Sequence, residues 1–525
     1  MAYDFLIVGA GSGGCAVAGR LARLRPAAKI ALIETGPADN SILIKAPLGI
    51  AAVGPRRNKY NYAYESVAQP GLNGRRSYQP RGRGLGGSSS INAMEYIRGH
   101  RDDYNDWLQQ GCTGWSWDEV LPYFKRSEDN ARGADALHGT GGPLSVSDPT
   151  DPNPFCQVFL DAVKQAGFSL NHDFNGAEQE GAGLYQRTIK NGERCNAASG
   201  YLREQRLPNL EVMTHTQVLR ILFEGKRAVG VEIERDGQRR TLHARAEIVL
   251  AGGAFGTPQL LMCSGVGPAE QLRSLGIPLV HESTDVGRNL HDHLDYKMPV
   301  RASHPDLLSI SVQGGMRLIR EMLRYRRERR GLITSNVAEA GGFFKTDPAL
   351  ARPDVQIHFL IGMVDDHARK LHLGAGFTGH VCVLRPKSRG SVTLASPDIR
   401  VAPLIDPAFL QEPEDLAAQL RAVKLLRKIL QAPALAAQSG KPLHSAASES
   451  DEDWCTEIRN HADTVYHPVG SCRDEHAVVD PQLRVRGLEG LRIADASIFP
   501  SIMGGNTNAP VIMVGERAAD WLAHS

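Results

Sequence analysis

The sequence predicts a mixed α/β fold, with α/β and α+β character combined. A parallel-sheet domain is expected to be interleaved with a second domain of antiparallel sheet plus helices. Three observations carry this prediction. An apolar run, Asp4-Phe5-Leu6-Ile7-Val8, leads into a glycine-rich turn and a helical pattern. A run in the same buried-strand style, Glu247-Ile248-Val249-Leu250-Ala251, recurs far along the chain. Between them the pattern turns to strict alternation, as in Val229-Gly230-Val231-Glu232-Ile233-Glu234. At 525 residues the chain is also too long for one simple core.

The first strand runs into Gly9-Ala10-Gly11-Ser12-Gly13-Gly14, then a helical pattern through Ala16, Ala18, Leu21 and Ala22. A second apolar strand, Lys29–Ile33, ends in Glu34. An isolated Gly-x-Gly-x-x-Gly is a weak signal, but strand, turn, helix, second strand and acidic end together form the Rossmann-type dinucleotide fingerprint. Gly9 permits the tight turn, Gly11 lets the backbone approach a pyrophosphate, and Gly14 lets helix and strand pack closely. The helix start at Ser12 offers partial positive charge, and Glu34 can take both ribose hydroxyls. A carboxylate there argues against a 2′-phosphate, and so against NADP.

From Ser41 to Pro80 glycine, proline and asparagine predict loops. Arg81-Gly82-Arg83-Gly84-Leu85-Gly86-Gly87-Ser88-Ser89-Ser90-Ile91-Asn92 then gives a backbone able to press against a flat or anionic ligand. Ser116, with Glu119 three residues on, starts a capped helix. The stretch 171–198 reads as loops joining the domains. Residues 211–250 read as antiparallel strands with a turn at Asp236-Gly237. From about 298 to 463 the sequence reads as helix-rich with scattered strands.

Within that region, 316–330 forms a basic amphipathic helix. Met316, Ile319, Met322 and Leu323 share one face, and Arg317, Arg320, Arg324 and Arg327 another. Such a helix either lies on an anionic membrane surface or is a solvated cover over its domain.

Composition excludes several classes. A formal net charge of +2 is not that of a nucleic-acid binder. Eight cysteines without a Cys-x-x-Cys pair fit neither a disulfide scaffold nor a zinc ribbon, so no metal is expected. Reduced thiols, no leader before the first strand, and no apolar run near ~20 residues predict a cytoplasmic protein. Peripheral attachment to the cytoplasmic face of the inner membrane stays open, as does oligomeric state.

The glycine-serine segment at 81–92 resembles the first signature of the glucose–methanol–choline (GMC) oxidoreductases. Gly253-Ala254-Phe255-Gly256-Thr257-Pro258-Gln259-Leu260-Leu261-Met262-Cys263-Ser264-Gly265-Val266-Gly267 is similar to the second. The likeness runs on through Val286–Leu290 to Asp495-Ala496-Ser497 and Asn506. It is nearest to bacterial FAD-dependent alcohol and choline dehydrogenases, through Ser335–Phe343 and Tyr466-His467-Pro468. The resemblance implies FAD, with Gly86, Gly87, Ser88, Asn92 and Ala93 near the flavin and pyrophosphate. It implies Val218 at the adenine, Asp495 and Ala496 at the pyrophosphate and flavin, and Asn508 at the pyrimidine end. Ile91 stands where some relatives carry a tethering His, so non-covalent FAD is expected. The implied layout is an FAD-binding domain from 1–155, 196–297 and 464–525, with a substrate-domain segment and connecting loops in 156–195 and a substrate-binding domain over 298–463.

Removing hydride from an alcohol requires the hydroxyl proton to leave, and histidine is the side chain whose ordinary pKa suits that task. His467, held by the proline that follows it, is the expected base, and Asn506 the expected hydrogen-bond partner of the alcohol oxygen. Glu339, Asn336 and Glu95 are expected around the substrate. Glu95 departs from the family's apolar residue, and either faces solvent or tunes the pocket. Asp474-Glu475 also departs, replacing the usual Met-Gly. The expected reaction is oxidation of a primary aliphatic or aryl alcohol to the aldehyde by hydride transfer to flavin N5, with a quinone-type acceptor. An oxygen-using oxidase, a choline dehydrogenase and a hydroxynitrile lyase are the alternatives.

Overall fold

The computed structural model describes residues 2–203, 207–473 and 477–524. The departure at Asp474-Glu475 lies outside the described residues. Two sheets organise the chain.

The first has seven strands. Leu210–Met213, Ile30–Ile33, Ala2–Val8 and Gln238–Leu250 pair in parallel, and Leu491–Ile493 joins the far side of the last. Gln238–Leu250 is long enough for two tasks. Its second half lies in the buried parallel sheet, and its first half forms an antiparallel ladder with Arg227–Arg235. The hairpin turns at Asp236 and Gly237, both at positive φ, as a two-residue turn matching strand twist requires. Gln217–Glu224 completes the ladder.

Two helices from opposite ends of the sequence, Ser12–Leu24 and Asn508–Ala523, pack together beside this sheet. Small residues permit the approach: a Cβ on Gly515 would sit 2.6 Å from the Gly13 carbonyl oxygen. Glu516 is fully buried between them, held by Nε and Nη2 of Arg20 at 2.7 Å, by Arg126 at 2.8 Å and by the Tyr201 hydroxyl at 2.6 Å. A buried carboxylate is tolerable only with such partners.

The second sheet has eight antiparallel strands, centred on Leu294–Ala302, Gly374–Val383, Val355–Leu360 and Ala340–Phe344. Alternation gives it two unlike faces. Tyr296, Ile357, Phe359, Phe377 and Val381 pack with Phe155, Phe159 and Leu426 in one apolar cluster. Asp295, Lys297, Gln356, His358 and His380 point the other way.

The region 298–463 carries the helices Val312–Glu328, Pro413–Leu430 and Asp451–His461, in line with its helix-rich reading, but most of its strands are the body of one sheet rather than scattered. Polar and ionisable residues on the inner face of these strands weaken their apolar signal. The loop reading of 171–198 is corrected as well: Gly181–Leu184 is an edge strand of the second sheet, paired with Ala340–Phe344. Its glycines hide it by propensity, yet they fit the site, because a Cβ on Gly183 would strike the Asn171 carbonyl. The stretch 41–80 also holds the strand pair Tyr64–Ala68 and Arg76–Gln79. Ser116 and Glu119 form the expected capping box.

Candidate active site

A cavity of about 1070 Å³ is walled by the end of the first sheet and the polar face of the second. That is at the upper limit of the roughly 300–1,000 Å³ typical of a drug-sized ligand, and suits a dinucleotide with a small substrate.

At one end, Gly9, Gly11 and Ser12 line the cavity. The helix Ser12–Leu24 has no side-chain cap and no acidic residue in its first turn, so its leading N–H groups remain for an anion. The helix Asn508–Ala523 likewise starts at the cavity wall without a side-chain cap, and the Ser12 hydroxyl donates to Asn508 Oδ1 at 2.7 Å. Glu34 lines the cavity with its carboxylate fixed by the N–H groups of Ala10, Gly36 and Gly84 at 2.8–3.0 Å. Burial raises its pKa, and those three donors oppose the shift.

Gly87, Ser88, Asn92, Ala93, Val218, Asp495 and Ala496 also line the cavity. Gly14 and Gly86 lie outside the lining and act through packing. A Cβ on Gly14 would overlap the Gly9 carbonyl oxygen, and Gly86, at φ 86°, donates its N–H to Ala10 at 2.8 Å. The glycine cradle, two uncapped helix starts and the cavity-lining Glu34 carboxylate fit a bound dinucleotide.

At the other end His467 and Asn506 meet, with Asn506 Nδ2 3.3 Å from His467 Nε2. The protonation of His467 follows from its surroundings. The Leu384 carbonyl can only accept, so His293 Nε2, 3.0 Å away, carries the proton there. Burial holds His293 neutral, with a pKa lowered to about 4, so its Nδ1 is an acceptor. His467 Nδ1, 3.0 Å distant, donates to it. The lone pair of His467 is thereby placed on Nε2, beside Asn506. Burial first, then His293, His358 and Arg81, push the His467 pKa well below the ordinary histidine value, leaving it a free base at neutral pH.

Asn506 is oriented just as firmly. Gln356 Nε2 donates to its Oδ1 at 3.0 Å, and its Nδ2 donates to Glu95 Oε2 at 3.1 Å. Glu95 is buried, lines the cavity and lies 3.1 Å from His358 Nε2, so it belongs to the pocket. The His358 pKa is shifted by opposing effects, burial lowering it and Glu95 raising it, with a net rise.

Backbone strain gathers here too. Met94, Val337 and Tyr466 all line the cavity with φ of 63°, 70° and 75°, a conformation costly for a β-branched or bulky residue and characteristic of functional sites. Tyr466 is held by Arg81, which donates to its carbonyl at 2.7 Å, and by His367, 2.7 Å from its hydroxyl. The His467 N–H donates to Asp292 at 2.8 Å.

Asn336 lines the cavity, its amide donating to the Ala93 carbonyl at 2.8 Å. Glu339 is corrected. It does not line the cavity; its carboxylate accepts the Asn153 N–H at 2.7 Å and lies 3.7 Å from Arg187. The ion pair and the hydrogen bond draw it into the second domain's interior. Sequence reasoning missed His293, His358 and Gln356. The available signal was alternation: His291 and His293 are two apart, as are Gln356 and His358.

Residues 3–295 match the N-terminal domain of the GMC oxidoreductases, and residues 386–515 the C-terminal domain. An alcohol dehydrogenase [acceptor] of Pseudomonas putida is 44% identical, covering 99% of this chain and 95% of its own length. Human mitochondrial choline dehydrogenase is 41% identical over 99% of this chain and 89% of its own. The solved structure of an FAD-dependent oxidoreductase from Chaetomium thermophilum superposes with a TM-score of 0.87 at 26% identity, covering 99% of each chain. With nucleotide cradle, His–Asn pair and sequence in agreement along the chain, this protein belongs to the GMC oxidoreductase family.

Proposed function

We propose that the protein oxidises a primary alcohol, aliphatic or aryl, to its aldehyde, using non-covalently held FAD and a quinone-type electron acceptor. The observation that carries this reading is the unprotonated His467 Nε2, set beside the Asn506 amide at the cavity wall. An alcohol oxygen placed between them would donate its proton to His467 and accept a hydrogen bond from Asn506 Nδ2. Such fixed placement supplies much of the barrier reduction. FAD, when bound, supplies the hydride acceptor. His293 keeps the base in the correct tautomer, and Gln356 and Glu95 keep the amide in the correct flip. Ile91, which lines the cavity, offers no atom for a covalent tether at the position where relatives carry a His. All eight cysteines are free thiols, which suits a reducing cytoplasm.

Choline is less well supported than a neutral alcohol. Glu339, the carboxylate expected to face a trimethylammonium group, is turned from the cavity toward Arg187. The test is to mix the yellow holoenzyme anaerobically with alcohols and choline, then admit air or a quinone. Bleaching by primary alcohols with rapid return of colour only in quinone is expected. Absence of bleaching by any alcohol rejects the reading, and rapid return in air makes the protein an oxidase.

A further inference from the structure

The arginine-rich helix Val312–Glu328 presents its apolar stripe outward. Val312, Met316, Ile319, Met322 and Leu323 are 56–81% exposed, and Tyr325 alone on this helix is buried. The spacing of Val312, Met316, Ile319 and Leu323 puts them on one line along the helix. An amphipathic helix that merely covered its domain would show the opposite orientation.

The arginines divide into two groups. Arg317 and Arg324 turn back to the protein, Arg317 to the Leu307 carbonyl at 3.2 Å and Arg324 to Asp151 at 3.4 Å. Arg320, Arg326 and Arg327 are exposed, and no hydrogen bond or ion pair is described for them among the described residues. On a helical projection these three border the apolar line on both sides. The strand pairing of Ile310 with Gly374 brings a second apolar element to the start of the helix: Leu373 and Leu371, 77% and 75% exposed.

We propose that Val312–Glu328, together with Leu371 and Leu373, is the surface by which the protein docks on an anionic phospholipid bilayer. The apolar line enters the boundary between headgroups and acyl chains, and the three bordering arginines lie level with lipid phosphates. This is the arrangement an interfacial helix adopts. Guanidinium groups suit phosphate oxygens, and basic residues at this depth favour anionic lipid. Charge argues against a second copy of the chain as the occupant, because a two-fold pairing of this face would bring the unpaired arginines against their own kind.

The docking surface is joined to the cavity wall at both ends. The helix leads through Leu332–Thr334 to Asn336 and Val337, and the loop bearing Leu371 and Leu373 also carries Val364, His367 and Ala368. Docking therefore brings the wall around the substrate close to the lipid. The proposal does not depend on the nature of the alcohol.

Flotation of the holoenzyme with vesicles tests it. Binding to vesicles of phosphatidylglycerol and phosphatidylcholine in equal parts is expected, with weaker binding to phosphatidylcholine alone. The double variant Ile319→Glu/Leu323→Glu, at two exposed positions, should lower the bound fraction about tenfold or more. Its flavin content and its activity with a soluble dye acceptor should be unchanged. The triple variant Arg320→Gln/Arg326→Gln/Arg327→Gln should lose the preference for anionic vesicles. Equal binding by the double variant, or no binding of the parent protein to either vesicle, overturns the proposal. So does light scattering that shows a dimer which the double variant converts to monomer.

Discussion

His467 works as a base only because its neighbours settle where its proton sits. Replacing it with alanine should slow flavin reduction by about 10²–10⁴-fold, the usual worth of a general base; stopped-flow bleaching is the measurement. His293→Phe removes the acceptor at His467 Nδ1 but leaves the base in place. Its predicted effect is at least about tenfold on the reduction rate, near 1.4 kcal/mol, with an acid limb of the pH–rate profile displaced from that of the parent. A purely structural role would change flavin content and leave that limb where it was. At this scale the sequence was partly legible. His467 and Asn506 could be found because the proline after the histidine and the family register single them out. His293, Gln356 and Glu95's partner His358 could not, since orienting residues announce themselves only through distances the chain sets by folding. Glu339 failed for the same reason: a carboxylate near the right loop can face either way, and Arg187, far off in sequence, decided.

Among the elements, the strand–turn–helix at the start of the chain was readable in full, because each glycine has a steric cause. Gly14→Ala would drive a methyl into the Gly9 carbonyl oxygen, parting helix from strand where the nucleotide cradle begins. The expected result is loss of about 1–3 kcal/mol of stability from overpacking, together with a lower flavin-to-protein absorbance ratio in the purified variant. The inner strands of the second sheet were not readable as strands. Their cavity side carries Asp295, Lys297, His358 and His380, which an apolar-versus-polar reading takes for surface. The amphipathic helix was found from its period, but which side faced the protein was not in the period itself. That depended on Asp151 and the Leu307 carbonyl, which draw Arg324 and Arg317 inward.

Over the whole molecule, buried neutral histidines tie stability to pH. Burial lowers the pKa of His291, His293, His367, His380 and His467. The unfolded chain therefore binds more protons than the folded one once pH falls below about 6.5, the ordinary histidine value. The stabilisation is complete above that pH and is lost as pH falls toward the folded values, about 4 for His293. His100 and His281 are lowered likewise, whereas His138, raised to about 9 by Asp173 and Glu128, His358 and His444, together with the buried carboxyls Asp292, Glu34 and Asp495, act in the opposite sense. Seven lowered histidines against three raised ones leave a net fall among the histidines, so thermal unfolding should occur at a lower temperature at pH 6 than at pH 7.5, by calorimetry. A separate consequence follows from the two helices that meet beside the first sheet. Ser12 and Asn508, like Arg20 and Glu516, are partners 496 residues apart. Synthesis proceeds from the N-terminus, so an emerging chain carries its glycine turn for almost its whole length without the helix that closes the groove. The flavin cannot be clasped until that late helix arrives, and pigment should colour only molecules whose translation has run past it.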